Sequence, residues 1–197
     1  MTKIILATTS PYRKEAFGFL GIDFEAEGSE IDESQVERNN PEELVKQLSK
    51  LKAESVAKNH PDAIVIGMDS VGYFNGEILE KPKSREEAFQ RLKALSGKKY
   101  YFYTGVYIVN TPNQKTVSRV VKDEIFIRKL SDSEINKYFE QDKESIYKTF
   151  AHGYDVKNKI SCSFVSKIVG SPNNVLRGIP LEVLPEMLSE VGYNLIK

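Results

Sequence analysis

Apolar residues in this chain follow two rhythms. Short unbroken runs alternate with stretches in which an apolar residue returns every three or four positions, and the two patterns call for strands and helices respectively. Lys3–Ala7 is a run of the first kind and predicts a buried strand. Behind it, Ser10 suits an N-cap and Pro11 a first helical position, for a helix to about Leu20 that Gly21 stops. Phe24 falls in the next extended piece, followed by an acidic irregular stretch with Glu30, Asp32 and Glu33. Asn40-Pro41 opens a second helix to about Lys58, with Leu44, Leu48, Leu51 and Ser55 on one stripe and Val45 and Val56 beside it. Ala63–Met68 predicts a buried strand that ends at Asp69. Val71–Phe74 and Glu77–Leu79, on either side of Asn75-Gly76, read as a two-residue hairpin.

Farther on, Ser84 and Glu87 have capping-box spacing, for a helix that ends at Ser96-Gly97. Tyr100–Val109 and Thr116–Ile127 are long strands joined by the turn Asn110–Gln114. Ser131 and Glu134 form another capping box, with Ile135, Tyr138 and Phe139 on one helix face. Ile160–Val169 is a further strand, in which Cys162 reads as a small buried hydrophobe. A last helix covers about Val183–Val191, with Pro185 in its first turn. Strands alternating with helices, with hairpins mixed in, predict an α/β fold on a mixed sheet. No repeat or low-complexity linker interrupts residues 1–197, which read as a single domain.

Composition narrows the choice of function. The 197 residues carry 28 Lys and Arg against 28 Asp and Glu, a formal charge of zero that argues against a nucleic-acid polymer as partner. Hydrophobic residues make up 40%, with ten Tyr and ten Phe, which is enough to close a core and excludes global disorder. The one cysteine makes neither an intrachain disulfide nor a cysteine zinc site. Met1-Thr2-Lys3 leads straight into a short apolar run, and no run reaches the roughly 18 residues that span a bilayer. The expectation is a cytoplasmic protein with no membrane partner.

Several polar residues break the pattern. Lys52 falls within the apolar arc of the second helix, either snorkelling from its edge or aimed into a cleft. Asp69 follows a buried strand, at the kind of position where ligands collect in open α/β sheets, unless it only caps a loop. Hairpin register, if pairing continues, puts Ser70 opposite Lys81 and Lys81 diagonal to Asp69. Thr8–Arg13 is a strand-to-helix turn with free backbone N–H groups, to which Ser10 adds a hydroxyl and Arg13 a forked guanidinium. Three cations, Arg13, Lys52 and Lys81, together with the acids Glu33 and Asp69, suggest a phosphate held with a divalent ion. His60 and His152 lack metal-ligand spacing, and neither a P-loop nor a dinucleotide fingerprint is present.

In that order the motifs resemble the Maf nucleotide pyrophosphatases along nearly the whole chain. Ile5–Arg13 resembles the family's opening "LAS-x-SPRR", Ile31-Asp32-Glu33 its "IDE", and Lys52-Ala53 the Lys-Ala of its first long helix. Ile66–Ser70 resembles "IGADT", Leu79–Pro82 "IL-x-KP", Leu95–Gly97 "LSG" and Thr104–Val106 "TGV". Gly153-Tyr154, Gly170-Ser171, Asn174-Val175 and Gly178–Leu181 follow its tail. The resemblance implies a mixed sheet flanked by helices with a central cleft, as in Maf and inosine-triphosphatase-like proteins. It also implies a cytoplasmic house-cleaning enzyme that converts a nucleoside triphosphate to the monophosphate and pyrophosphate with Mg2+ or Mn2+. Asp69 then matches the general base, Ser10, Arg13, Lys52 and Lys81 the phosphate-binding positions, and Glu33, with Asp69, the metal site.

The chain departs from the family at the three positions tied to base selectivity, where Tyr12, Ser70 and Lys157 replace Arg, Thr and Gln. Phe150–Tyr154 also replaces "KAGGY", and Arg177 is an extra residue before Gly178. Broadened or shifted base selectivity is expected. Two other readings stand beside the pyrophosphatase: an inosine-triphosphatase-type enzyme, and a non-catalytic nucleotide-binding regulator linked to cell division. The aromatic strand Tyr100–Tyr103 reads as core or as the face of a homodimer.

Overall fold

A computed structural model describes residues 2–155 and 160–195. Strand β1 (Lys3–Ala7) leads to helix α1 (Pro11–Gly18), capped by Ser10, and on to the short strand β2 (Glu25–Glu27). Then come α2 (Pro41–Ala57), β3 (Ala63–Phe74), β4 (Glu77–Leu79) and α3 (Arg85–Leu95). The long strands β5 (Lys99–Asn110) and β6 (Lys115–Ile127) precede α4 (Asp132–Gln141), β7 (Val165–Val169), α5 (Pro172–Arg177) and α6 (Leu184–Glu190). Seven strands form one mixed sheet in the order β2-β1-β3-β5-β6-β7, with β4 paired to β3. β1 runs parallel to β2 and β3, whereas β4 and β7 run antiparallel to their neighbours.

The chain divides into two compact units. The first comprises Met1–Ser70, Thr104–Val121 and Arg177–Lys197, and the second Val71–Tyr103 and Lys122–Leu176. In the first, Ile4, Leu6, Phe17, Ile64, Ile66 and Met187 belong to one core cluster, and Ile5, Ala53, Val56, Val65 and Tyr107 to another. Gly67 and Gly105 let α2 lie directly on the strands. A Cβ at Gly67 would sit 2.2 Å from the Ser49 carbonyl oxygen, and one at Gly105 2.1 Å from the Val45 carbonyl oxygen.

The core of the second unit includes Leu92, Tyr100, Phe102, Ile135, Tyr138 and Phe164. His152 is buried among aromatic rings, stacked on Phe150 at 5.2 Å and 4.6 Å from the Tyr154 ring. Among the described residues, neither of its ring nitrogens has a partner at hydrogen-bonding geometry. Burial pushes its pKa down to about 3, which the nearby Tyr154 backbone only partly offsets. Arg91 donates to the carbonyls of Glu80 and Ala151, tying the segment before Lys81 to the segment before His152.

Several sequence expectations need correction. β3 does not end at Asp69 but runs on to Phe74, because the hairpin ladder Gly72↔Leu79, Tyr73↔Ile78 and Phe74↔Glu77 extends the same strand. That ladder stops at Leu79, so Lys81 lies beyond the paired residues that would set it opposite Ser70. Glu87 caps only half of the expected box: Ser84 Oγ accepts from its N–H, but its carboxylate accepts from Lys83 N–H and Arg91 instead. Ile160–Ser163 is a short 3-10 turn rather than strand. There the Ser161 hydroxyl donates to the Asp155 carbonyl, which buries Ser161 and leaves Cys162 exposed. Helix α5 had no counterpart in the apolar pattern. In Tyr100–Tyr103, Tyr100 and Phe102 enter the core, whereas Tyr101 and Tyr103 lie under the ammonium of Lys122.

Candidate active site

The site is built from α2 upward. Asn40 Oδ1 accepts from the N–H groups of Glu42 and Glu43, and Pro41 pre-sets the first turn. The buried arc of the helix carries Leu44, Val45, Leu48, Ser49, Ala53 and Val56. At about 100° per residue, Lys52 projects near the middle of that arc and Leu51 just outside it. Leu51 is accordingly 39% exposed, not part of the stripe. The backbone contact at Gly67 then sets Lys52 against β3.

Lys52 Nζ donates to Asp69 Oδ1 at 2.5 Å and pairs with Glu33 Oε1 at 2.9 Å. This contact decides between the two readings of Lys52: the ammonium is aimed at two carboxylates and not at solvent. Asp69 is buried, and the burial pushes its pKa up, against the pull of Lys52 and, more weakly, Arg13. β1 pairs with β3 only as far as Ala7↔Gly67, so Asp69 stands two residues past the end of that parallel ladder. Glu33 opens the 3-10 turn Glu33–Gln35, capped by Asp32 and held by Arg38, which donates to the Glu33 carbonyl at 3.1 Å.

Arg13 lies on the other side of Asp69. It donates from Nη1 to the Met68 carbonyl at 2.9 Å, from Nη2 to Ser70 Oγ at 2.8 Å and from Nε to the Gly178 carbonyl at 2.8 Å. Burial lowers its pKa, while the charges of Asp69 and Glu33 oppose that shift. Ser10 Oγ accepts from the Arg13 N–H at 3.4 Å as the cap of α1, and Tyr12 is half-buried in the first turn. Glu33, Lys52 and Asp69 are therefore in direct contact, and Ser10, Arg13 and Ser70 are linked to one another. Lys81 belongs to the second unit, and its link to phosphate rests on the resemblance. Lys157 lies outside the described residues.

Thr104 was legible only as part of a motif without a role. It is fully buried on β5, and its hydroxyl lies 2.8 Å from Ser70 Oγ. Among the described residues no group of three or more His, Cys, Asp or Glu side chains is placed to hold a metal. A groove of about 840 Å3, lined by Ile4, Leu20, Ile22, Phe24, Tyr193 and Leu195, lies at the opposite end of β1 and contains none of the described candidate residues.

Residues 3–191 match the family model described as Maf-like protein. The chain belongs to the Maf family. It is similar to a 7-methyl-GTP pyrophosphatase of Nitrosococcus oceani, 35% identical over 96% of this chain and 94% of the relative. A dTTP/UTP pyrophosphatase of Dictyoglomus turgidum is also 35% identical, over 98% of each chain. A nucleoside triphosphate pyrophosphatase of a Synechococcus species is 36% identical, over 98% of this chain and 95% of that one. Among solved structures, a HAM1 protein from Coxiella burnetii has a TM-score of 0.56 at 16% identity, over 96% of this Maf-family chain and 100% of that one. That likeness shows the mixed α/β fold. Among the described residues, no helix is long and apolar enough to cross a membrane.

Proposed function

We propose that this Maf-family chain hydrolyses a nucleoside triphosphate to the monophosphate and pyrophosphate, with Asp69 as general base. The observation that carries this is the Glu33–Lys52–Asp69 contact, set at the end of a parallel ladder in a chain whose relatives are named nucleoside triphosphate pyrophosphatases. Water attacks the α-phosphorus and gives its proton to Asp69. The bond from that phosphorus to the bridging oxygen breaks, and pyrophosphate leaves with the electron pair. A carboxylate held from water is a better proton acceptor than a solvated one, and burial puts Asp69 in that state. The Lys52 ammonium balances charge beside it, where a pre-set cation stabilises the developing negative charge.

Glu33 and Asp69 also suit a divalent cation. Mg2+ and Mn2+ favour hard oxygen donors, and Mg2+ is commonly held by one or two carboxylates completed by substrate phosphates. Two carboxylates that already share one cation, Lys52, are such a donor pair. The ion, when bound, would neutralise phosphate charge and lower the pKa of a bound water. The setting this implies is the cytoplasm, where such substrates and ions occur together.

Relatives at the same 35% identity are named for different bases, so selectivity has to come from particular side chains. Tyr12 offers an aromatic face for stacking, worth roughly 1–3 kcal/mol and tolerant of the base. We therefore place base choice at Tyr12 and expect a profile broader than dTTP and UTP. The test is pyrophosphate release from dTTP, UTP, CTP, GTP and 7-methyl-GTP with Mg2+ or Mn2+. Release that a chelator suppresses and added metal restores is expected. A panel with no release defeats the enzyme reading, and efficient turnover of dTTP and UTP alone defeats the selectivity reading.

A further inference from the structure

The three bonds made by Arg13 bracket Asp69. Met68, whose carbonyl takes Nη1, immediately precedes Asp69, and Ser70, whose hydroxyl takes Nη2, immediately follows it. The third donor, Nε, is spent on Gly178. Three of the five guanidinium N–H groups are thus used on the protein's own oxygens, in a half-buried setting. Ser70 is held from a second side by Thr104 on β5, at 2.8 Å. A serine hydroxyl has one hydrogen and two acceptor sites. Arg13 fills one acceptor site, and the exchange with Thr104 uses either the other or the hydrogen. The Ser70 side chain is therefore fixed between β5 and α1, and with it the β3 backbone that aims the Asp69 carboxylate at Lys52.

We propose that Arg13 and Thr104 are positioning residues for Asp69, and that Arg13 is not the phosphate ligand its place in the opening motif implies. The proposal rests on the pyrophosphatase reading. A phosphate ligand contributes to affinity for the triphosphate and for pyrophosphate. A clamp on the base contributes to turnover and leaves that affinity alone.

The decisive variant is Thr104→Val, which keeps the side-chain shape and removes only the hydroxyl. With the best nucleotide of the panel, kcat falls about tenfold while KM stays within about twofold, the signature of an interaction needed in the transition state. Thr104→Ser restores kcat. Ser70→Ala, which also leaves Arg13 Nη2 without its partner, loses at least as much, and the Ser70→Ala/Thr104→Val double variant loses no more than Ser70→Ala alone, because the Ser70–Thr104 contact is already gone there. Arg13→Lys lowers kcat and leaves inhibition by added pyrophosphate within about twofold of wild type, because uniform binding is untouched. Thermal unfolding checks that each variant is folded, and if Thr104→Val is not, Thr104→Ser and Ser70→Ala carry the test. Unchanged kcat in Thr104→Val, additive losses in the double variant, or loss of pyrophosphate inhibition in Arg13→Lys each overturn the proposal. A wild-type enzyme that releases no pyrophosphate overturns the underlying reading as well, so the two failures are told apart.

Discussion

Gly67→Ala tests whether the backbone contact between α2 and β3 sets the site. The new Cβ would lie 2.2 Å from the Ser49 carbonyl oxygen, 2.7 Å from Ala53 N and 2.9 Å from Ala53 Cβ, where ordinary contact begins at 3.4 Å. Two of these neighbours are helix backbone, so no side chain can swing away, and α2 must move off the strand by about 1 Å. Overpacking of this kind costs about 1–3 kcal/mol. For a chain of this length, each 1 kcal/mol lowers Tm by roughly 2–4 °C, which predicts a loss of roughly 2–12 °C with the fold retained. The effect on turnover is larger. Lys52 rides on the displaced helix next to Ala53, and a misplacement of about 1 Å typically costs about 10²-fold in rate. The assay pairs thermal unfolding with steady-state pyrophosphate release. A Gly67→Ala protein with wild-type Tm and wild-type kcat would refute the claim that this contact positions Lys52 against Asp69.

Two other changes probe different parts of the account. Asp69→Asn keeps the shape of the side chain and lowers turnover about 10²–10⁴-fold, the usual worth of a general base, without unfolding the protein; near-normal hydrolysis by the folded variant shows the base is misassigned. His152 gives a pH dependence of stability whose sign follows from burial: its pKa is about 3 in the fold against 6.5 for the free side chain. The unfolded chain therefore binds the extra proton between those values, so stability is full above pH 6.5 and is lost as pH falls towards 3. At pH 5 the loss from this group is about 2 kcal/mol, and His152→Phe removes it. Urea denaturation at pH 7 and pH 5 measures it, and an equal pH response in both proteins contradicts the assignment.

Much of this arrangement can be read from the chain because local rules and burial agree there. Ser10, Asn40 and Ser131 announce their helices through side-chain caps that need no tertiary partner. Lys52 is legible as an anomaly, a charge inside an apolar arc, but the pattern alone does not separate a snorkelling lysine from one aimed into a cleft. The difference lies in Asp69 and Glu33, 17 and 19 positions away, and the strand-on-helix contact at Gly67 is what sets Asp69 against Lys52. The apolar run understates β3, because Asp69 interrupts the run while hairpin pairing carries the strand past it. At Ile160–Ser163 the apolar content resembles a strand, but the chain forms a 3-10 turn in which Ser161 bonds the Asp155 carbonyl. Thr104 had no sequence signal of its own, since a buried threonine in a strand is ordinary until its hydroxyl is seen to meet Ser70.

The central claim is that water activated by Asp69 attacks the α-phosphorus. Hydrolysis in 18O-labelled water, followed by mass spectrometry of both products, tests it most directly. The account predicts one 18O atom in the nucleoside monophosphate and none in pyrophosphate. Label in pyrophosphate, or release of inorganic phosphate and a nucleoside diphosphate, would contradict it.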